Sequence, residues 1–389
     1  MRVLIVTPHI FEGGAEKAVL NLVYRLNSLG CNASIATLSV DLSKLPSHYA
    51  KLNFVLPEKP LEQPLLNDVK AVIASSLREI SSFVSLLRKS SSRFDLICAC
   101  NFPAYWATYL ARTGKPVIWF SSEVLAPYSQ TKDLYEKSSF FRLALRLAIA
   151  IDKLIVKRGV NSIVTCSELN SCLIKERYGR DSLAIHTGVD YDFFNAEVPD
   201  AQAHLGLGDG PLLLQVGALL RRKNQILSIR ALKTLKRDLS SIKLVLVGDG
   251  PWKPILQEET EKLGLTEAVV FIGRISEDEL RSLYHACDVN LFPVVDQTWG
   301  LVPFEALAAG KISIVSKDAG AAGVIETKKI GFLSEPTAED LAKAVSFALE
   351  NPKLVKDMVE GGQQYVKQNL TWDKYARDMY AVFKNVLHS

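Results

Sequence analysis

Three short stretches hold residue types that could do chemistry together. In "VGALLRRKNQ", Gly217 is followed by Arg221, Arg222 and Lys223 at the start of a helix. Cations there oppose the helix macrodipole, so a bound polyanion explains them better than stability does, although a solvated basic turn has the same sequence. A planar fork beside a point charge suits a diphosphate. In "QTWGLVPFEALAAGK", Trp299 and Gly300 precede Pro303, whose fixed φ suits the first helical turn, and Glu305 follows. Amides of Gly300, Leu301 and Val302 could face a phosphate while Glu305 accepts from vicinal hydroxyls, as acids of dinucleotide sites do. An acid placed for the helix dipole gives the same pattern. In "TPHIFEGGAEKAVLNLV", Gly13 and Gly14 open a helix that carries Glu16. Glycine lets backbone amides approach an anion or a sugar, and it also simply makes turns. The G-x-G-x-x-G fingerprint is absent, which disfavours a nicotinamide dehydrogenase. Asp190-Tyr191-Asp192 has the spacing of a metal-holding acid pair, but it sits in a linker-like stretch and no metal is expected there.

Such residues need strand-to-helix turns to hold them. The chain alternates short apolar runs with longer helical ones, the pattern of βαβ units and parallel sheets. "RVLIVT", "NASIATL", "FDLICAC", "KPVIWF" and "NSIVTCS" read as interior strands of one doubly wound sheet. A helix is expected from about Ala15 to Leu29. Composition changes between Asp190 and Gly210, where Pro199 and three glycines suggest a hinge. The alternation then restarts through "PLLLQVGAL", "IKLVLVGDG", "AVVFIG", "VNLFPVV" and "ISIVS". Helices are expected between these runs, and three more from about Ala338 to the C-terminal end. Two α/β lobes of similar size therefore flank a hinge. Ligands of open α/β sheets bind beyond the carboxyl ends of the strands, where all three stretches fall.

The 389 residues exceed what one core holds. A 48% hydrophobic fraction with 23% charged residues gives no case for disorder. No uninterrupted apolar run reaches the ~18 residues of a spanning helix, and the first residues lack a signal-peptide cleavage pattern. A cytoplasmic location is expected. The six cysteines are scattered without zinc-knuckle spacing, and reduced core thiols are expected.

Taken in order, "GGAEKAVLNL", "HTGVDYDFF", "VGALLRRKN", "LVLVGDGP", "VVFIGRIS", "DVNLFP" and "QTWGLVPFEALAAGK" resemble successive motifs of the retaining GT-B-fold glycosyltransferases of family 4, the glycogen-synthase-like group 1 enzymes. The resemblance spans nearly the whole chain. It implies two Rossmann-like, doubly wound α/β lobes facing across a cleft. Residues 1–200 would be the acceptor lobe, joined by a C-terminal helix, 371–389, that crosses back to it, and 201–370 would be the nucleotide-sugar donor lobe. By the same resemblance, Arg222 and Lys223 hold the diphosphate and stabilise the leaving nucleotide without a metal. Glu305 binds ribose, and Gly14, Gly217, Trp299, Gly300, Leu301 and Val302 line the donor. Backbone at Arg274 and Ile275 meets the base. Gly13, Ser122 and Glu123 lie near acceptor or sugar. Two positions depart from the pattern. Gln297 stands where the family has a sugar-facing acid, and no histidine occurs at Ser121 or Ser122, where its N-lobe histidine would fall. Gln297 can still donate and accept hydrogen bonds.

The implied activity is hexosyl transfer in polysaccharide biosynthesis, from a UDP- or GDP-type sugar to a glycan, lipid or lipid-linked acceptor, with no further cofactor and no nucleic-acid partner. A non-catalytic sugar-nucleotide or glycan-binding protein and a GT-B sugar-nucleotide epimerase are the rivals. Net charge is +4, and the excess is N-terminal: residues 1–200 hold 23 Lys and Arg against 19 Asp and Glu, and the remainder 23 against 23. Six basic residues against Asp152 fall in Lys137 to Arg158. Arg142, Arg146, Lys153 and Lys157 form a stripe within about 60° on a helix, with Phe141, Leu145, Ile149, Ile155 and Val156 elsewhere. Two readings fit: a solvated helix face, or a membrane-surface helix giving peripheral association with the inner face of a membrane.

Overall fold

A computed structural model describes residues 1–10, 13–61, 69–123, 139–198, 208 and 210–388. The chain divides into two compact units, Met1–Thr187 with Trp372–Ser389, and Gly188–Thr371.

The first unit runs β1 (Arg2–Val6), β2 (His9–Ile10), α1 (Gly14–Ser28), β3 (Asn32–Ala36), β4 (Ser39–Val40), α2 (Ser47–Ala50), β5 (Phe54–Val55), α3 (Val69–Ser90), β6 (Leu96–Cys100), α4 (Ala104–Ala111), β7 (Val117–Ser121), α5 (Ser139–Gly159), β8 (Ser162–Thr165), α6 (Glu168–Tyr178) and β9 (Leu183–Ala184). Its main sheet has the order β5-β3-β1-β6-β7-β8-β9, and every pairing in it is parallel. The five strands expected from apolar runs are the five interior ones. Strands buried on both faces are predominantly apolar, so interior strands announce themselves. The two-residue edge strands β5 and β9 are too short to do so. The order reverses between β1 and β6, which makes the carboxyl end of that pair a topological switch point.

The second unit runs α7 (Tyr191–Asn195), β10 (Leu212–Val216), α8 (Gln225–Leu235), β11 (Lys243–Val247), α9 (Lys253–Lys262), β12 (Val269–Gly273), α10 (Glu277–Ala286), β13 (Val289–Phe292), α11 (Val302–Ala308), β14 (Ile312–Ser316), α12 (Ala322–Lys328), β15 (Phe332–Ser334), α13 (Ala338–Glu350) and α14 (Pro352–Asn369). A last helix, α15 (Trp372–His388), belongs to the first unit. The six-stranded sheet has the order β12-β11-β10-β13-β14-β15, again parallel throughout. Its switch point lies between β10 and β13.

Three sequence expectations need correction. The units meet at Thr187/Gly188, not at residue 200, and at Thr371/Trp372 rather than one residue earlier. The cause is α7: Phe194 is buried edge-to-face on Tyr284, 5.6 Å between centroids, and the His285 ring nitrogen Nε2 meets the Phe194 carbonyl at 2.8 Å. Asp190 of the Asp-x-Asp pair caps α7 by accepting from the Phe193 amide. Cys172 is exposed while the other five cysteines are buried. Of the "VNLFPVV" run only Val289–Phe292 is strand, because Pro293 has no N–H for the ladder. Lys137 lies outside the described residues.

Candidate functional site

Two of the sequence-selected turns meet at the switch point of the second unit. At the end of β10 the chain turns through Gly217 at φ +147°, a left-handed value that favours glycine. Arg221–Lys223 then form one 3₁₀ turn before α8, whose N-terminus has no side-chain cap. That turn is held from two sides. The Gln215 side-chain amide donates to the Lys223 carbonyl at 2.7 Å, and the Val295 amide donates to the Arg222 carbonyl at 3.0 Å. Asn224, in the left-handed region, donates from Nδ2 to the Pro293 carbonyl at 3.1 Å. Arg221 is exposed, whereas Arg222 and Lys223 are half-buried.

Lys223 reaches across to the segment after β13. Its Nζ donates to Gln297 Oε1 at 2.6 Å and stands 5.9 Å from the centroid of the Phe292 ring. Phe292 also seats Gly300: a Cβ at that position would come 2.2 Å from Phe292 Cζ. The main chain of Gln297 is pinned by the Gly320 amide, which donates to its carbonyl at 2.8 Å, and by a bridge to Ala319. Gly217, Lys223, Phe292, Gln297 and Gly300 are therefore one packed group. An ammonium donating to a neutral amide oxygen keeps its charge available to an anion that displaces the amide.

Glu305 lies in the first turn of α11, which has no side-chain cap and starts at Val302, with Leu301 before it. Trp299 is buried and stacks on Phe304, 5.0 Å between centroids and 22° between planes, which fixes the approach to the helix. Glu305 Oε2 accepts from the Tyr284 hydroxyl at 2.9 Å. Burial, and then the neighbouring carboxylate, push the Tyr284 phenol well above its ordinary range, so it stays a donor. This orienting tyrosine was not visible in the sequence: it lies on the buried face of α10, distant from every motif. Arg274, exposed, and Ile275, half-buried, follow the end of edge strand β12. They share the carboxyl edge of the sheet but stand on the far side of β11 from β10. The Gly248 amide after β11 donates to the Gly273 carbonyl at 2.7 Å and so ties the two turns.

In the first unit Gly13 caps α1 in extended geometry and Gly14 is its first residue. Glu16 folds back over Gly13, where an added Cβ would fall 2.3 Å from its Oε2. Burial, followed by repulsion from Glu123, raises the Glu16 carboxyl above its ordinary value. Glu123 and Ser122 follow β7. The Ser122 amide donates to Asn101 Oδ1 at 2.8 Å, and Asn101 Nδ2 donates to Ser122 Oγ at 2.7 Å. Ser121 is fully buried, and its carbonyl accepts from Asn170 Nδ2 at 2.6 Å. Before Ser122 the histidines are His9 and His48; His9, in β2, meets Ser39 Oγ at 2.8 Å and lies 3.6 Å from Glu79 Oε1. Glu16, Glu79, Glu123 and His9 form an acidic group around the first turn that motif spacing did not single out.

Comparison with known proteins bears on this geometry. Residues 199–365 match the family model described as glycosyl transferases group 1. A GDP-mannose-dependent alpha-(1-6)-phosphatidylinositol monomannoside mannosyltransferase of Mycolicibacterium smegmatis is 33% identical over 197 residues, 48% of this chain and 51% of that protein. The chain thus spans about half the length of that relative. The alpha-1,3/1,6-mannosyltransferase ALG2 of Homo sapiens is 23% identical over 411 aligned positions, 99% of this chain and 96% of that protein. Among solved structures, Anabaena HepE in complex with UDP-glucose superposes with a TM-score of 0.79 at 19% identity, covering 99% of this chain and 100% of that one. The fold is GT-B, with two Rossmann-like lobes.

Proposed function

We propose that the chain is a group 1 glycosyl transferase that moves a hexosyl group from a nucleoside-diphosphate sugar to a glycan, lipid or lipid-linked acceptor, with retention of anomeric configuration. The observation that carries this reading is the pairing of a cationic turn with a carboxylate-bearing helix at one switch point. Lys223 touches Gln297 there, and Glu305 is oriented by Tyr284.

In this reading Arg222 and Lys223 take the diphosphate, and Lys223 exchanges the Gln297 oxygen for a phosphate oxygen. The bond from the anomeric carbon to the phosphate oxygen breaks, and the nucleoside diphosphate leaves with the electron pair. The acceptor hydroxyl oxygen forms the new bond to the anomeric carbon and passes its proton to the departing diphosphate. Fixed cations beside the leaving group stabilise the charge that develops on it. Glu305 accepts from the ribose hydroxyls, amides from Gly300 to Val302 meet sugar or phosphate, and main chain at Arg274 and Ile275 meets the base. Gln297, once released by Lys223, presents an amide to the transferred sugar. Gly13, Ser122 and Glu123 supply the acceptor side, and Gly14 meets the diphosphate. One named relative is GDP-mannose-dependent and the named structure holds UDP-glucose, so both bases belong in the test. The mycobacterial relative, named for a phosphatidylinositol monomannoside, supports a lipid acceptor and, with it, peripheral membrane association through the Lys137 to Arg158 segment.

Thermal unfolding with UDP, GDP and a panel of their sugars, wild type beside Lys223→Ala, tests the site. A nucleoside diphosphate should raise the wild-type midpoint, as mass action requires, and raise the variant's much less. Equal shifts in both proteins remove Lys223 from the site. Nucleotide release that requires an acceptor separates transfer from epimerisation, and binding without any turnover would leave only a binding protein.

A further inference from the structure

Helix α5 exposes apolar side chains where a solvated helix face would be polar. Leu143 and Leu147 are each 58% exposed, Ile151 48% and Leu154 42%. At 100° per residue these four fall within about 80° of one another, along roughly 16 Å of axis. Arg146, Lys153 and Lys157, all exposed, lie on one flank of that stripe within about 40°. Asp152 is the one acid between Leu143 and Gly159, and it lies on the opposite face, fully buried. It accepts from the Tyr105 hydroxyl at 2.5 Å, Trp106 Nε1 at 2.8 Å and the Tyr178 hydroxyl at 2.6 Å, and Arg177 stands 3.4 Å away. With Ile155 and Val156 buried beside it, this anchor settles which face of α5 turns outward.

We propose that the outer face of α5 docks the first unit on an anionic lipid surface, with Leu143, Leu147, Ile151 and Leu154 inserted among acyl chains and Arg146, Lys153 and Lys157 at the headgroups. An apolar stripe flanked by cations, without an acid, matches a surface that is apolar inside and negative outside. A second copy of the chain is a poorer occupant, since a two-fold contact would set the same cations against each other. No helix among the described residues is long and apolar enough to cross a membrane, so α5 would lie along the interface. This deepens the lipid-acceptor reading and rests on it for its purpose. Its test uses neither donor nor acceptor, so failure here leaves sugar transfer untouched.

The experiment is co-sedimentation of the full chain with phosphatidylcholine vesicles and with equimolar phosphatidylcholine–phosphatidylglycerol vesicles, across a salt series. Wild type should bind the anionic vesicles, lose them as salt rises, and leave the neutral ones in solution. Leu143→Ser with Leu147→Ser should weaken binding by about tenfold per leucine, and Lys153→Gln with Lys157→Gln by about fivefold per cation. Unchanged thermal midpoints would show that both variants fold. Absence of vesicle binding, equal binding to both vesicle types, or indifference to either pair of substitutions would overturn the proposal. So would a wild-type dimer in gel filtration that the leucine variant dissolves.

Discussion

At Gly300 a single hydrogen stands where any other residue would place a methylene. An added Cβ would lie 2.2 Å from the ring of Phe292, which is itself 1% exposed. Gly300→Ala should therefore cost about 1–3 kcal/mol, read from the denaturant midpoint, and should weaken nucleotide binding because the same ring faces Lys223. Glu16 has the opposite kind of cost. Its folded pKa is raised, by burial first and by Glu123 next, so its favourable contribution is complete below the unfolded carboxylate value and is lost as pH rises through the folded one. Glu16→Gln should raise the thermal midpoint at pH 8 and confer little at pH 4; an equal effect at both pH values would show that ionisation is not the cause. Arg222 and Lys223 were legible in the sequence because cations at a helix start stand out against the dipole rule, and Glu305 because it follows Gly300 and Pro303 in a motif taken in order with the others. Tyr284 was not, because its role depends on a contact 21 positions along the chain.

Elements hold these residues through a few polar anchors as well as through apolar packing. Asp152 is the clearest, linking α5 to α4 through Tyr105 and Trp106 and to α6 through Tyr178. Burial, followed by this carboxylate, pushes the Tyr105 phenol well above its ordinary range, so each hydroxyl remains a donor. Asp152→Ala leaves several buried donors unmatched and should destabilise by about 3–5 kcal/mol; a loss below 1 kcal/mol in urea unfolding would show that the donors find other partners. The sequence exposed the cationic stripe of α5 but not its neighbouring leucine stripe. Periodicity places residues on faces, and only packing says which apolar face is covered.

At the scale of the molecule, α15 closes the first unit although it follows the whole second unit in sequence. Trp372, Tyr375, Met379, Val382 and Phe383 are buried, and Asp373 pairs with Arg25 of α1 at 2.9 Å. At about 1.5–3 kcal/mol for each large apolar side chain, this burial matches the roughly 5–15 kcal/mol net stability of a domain. A chain ending at Thr371 should lose slow hydrogen exchange throughout the first unit and keep it in the second. Protection retained in both would make α15 an accessory. The sequence alone determined the interior strands, the two-lobed order and the charged turns, because these follow from local pattern: buried parallel strands are predominantly apolar, and helix starts constrain charge. Tertiary structure alone decided the boundary at Gly188, the contact of Lys223 with Gln297, the tyrosine that orients Glu305 and the outward face of α5. Each depends on which surfaces meet, and residues far apart in the chain do not encode that in any local spacing.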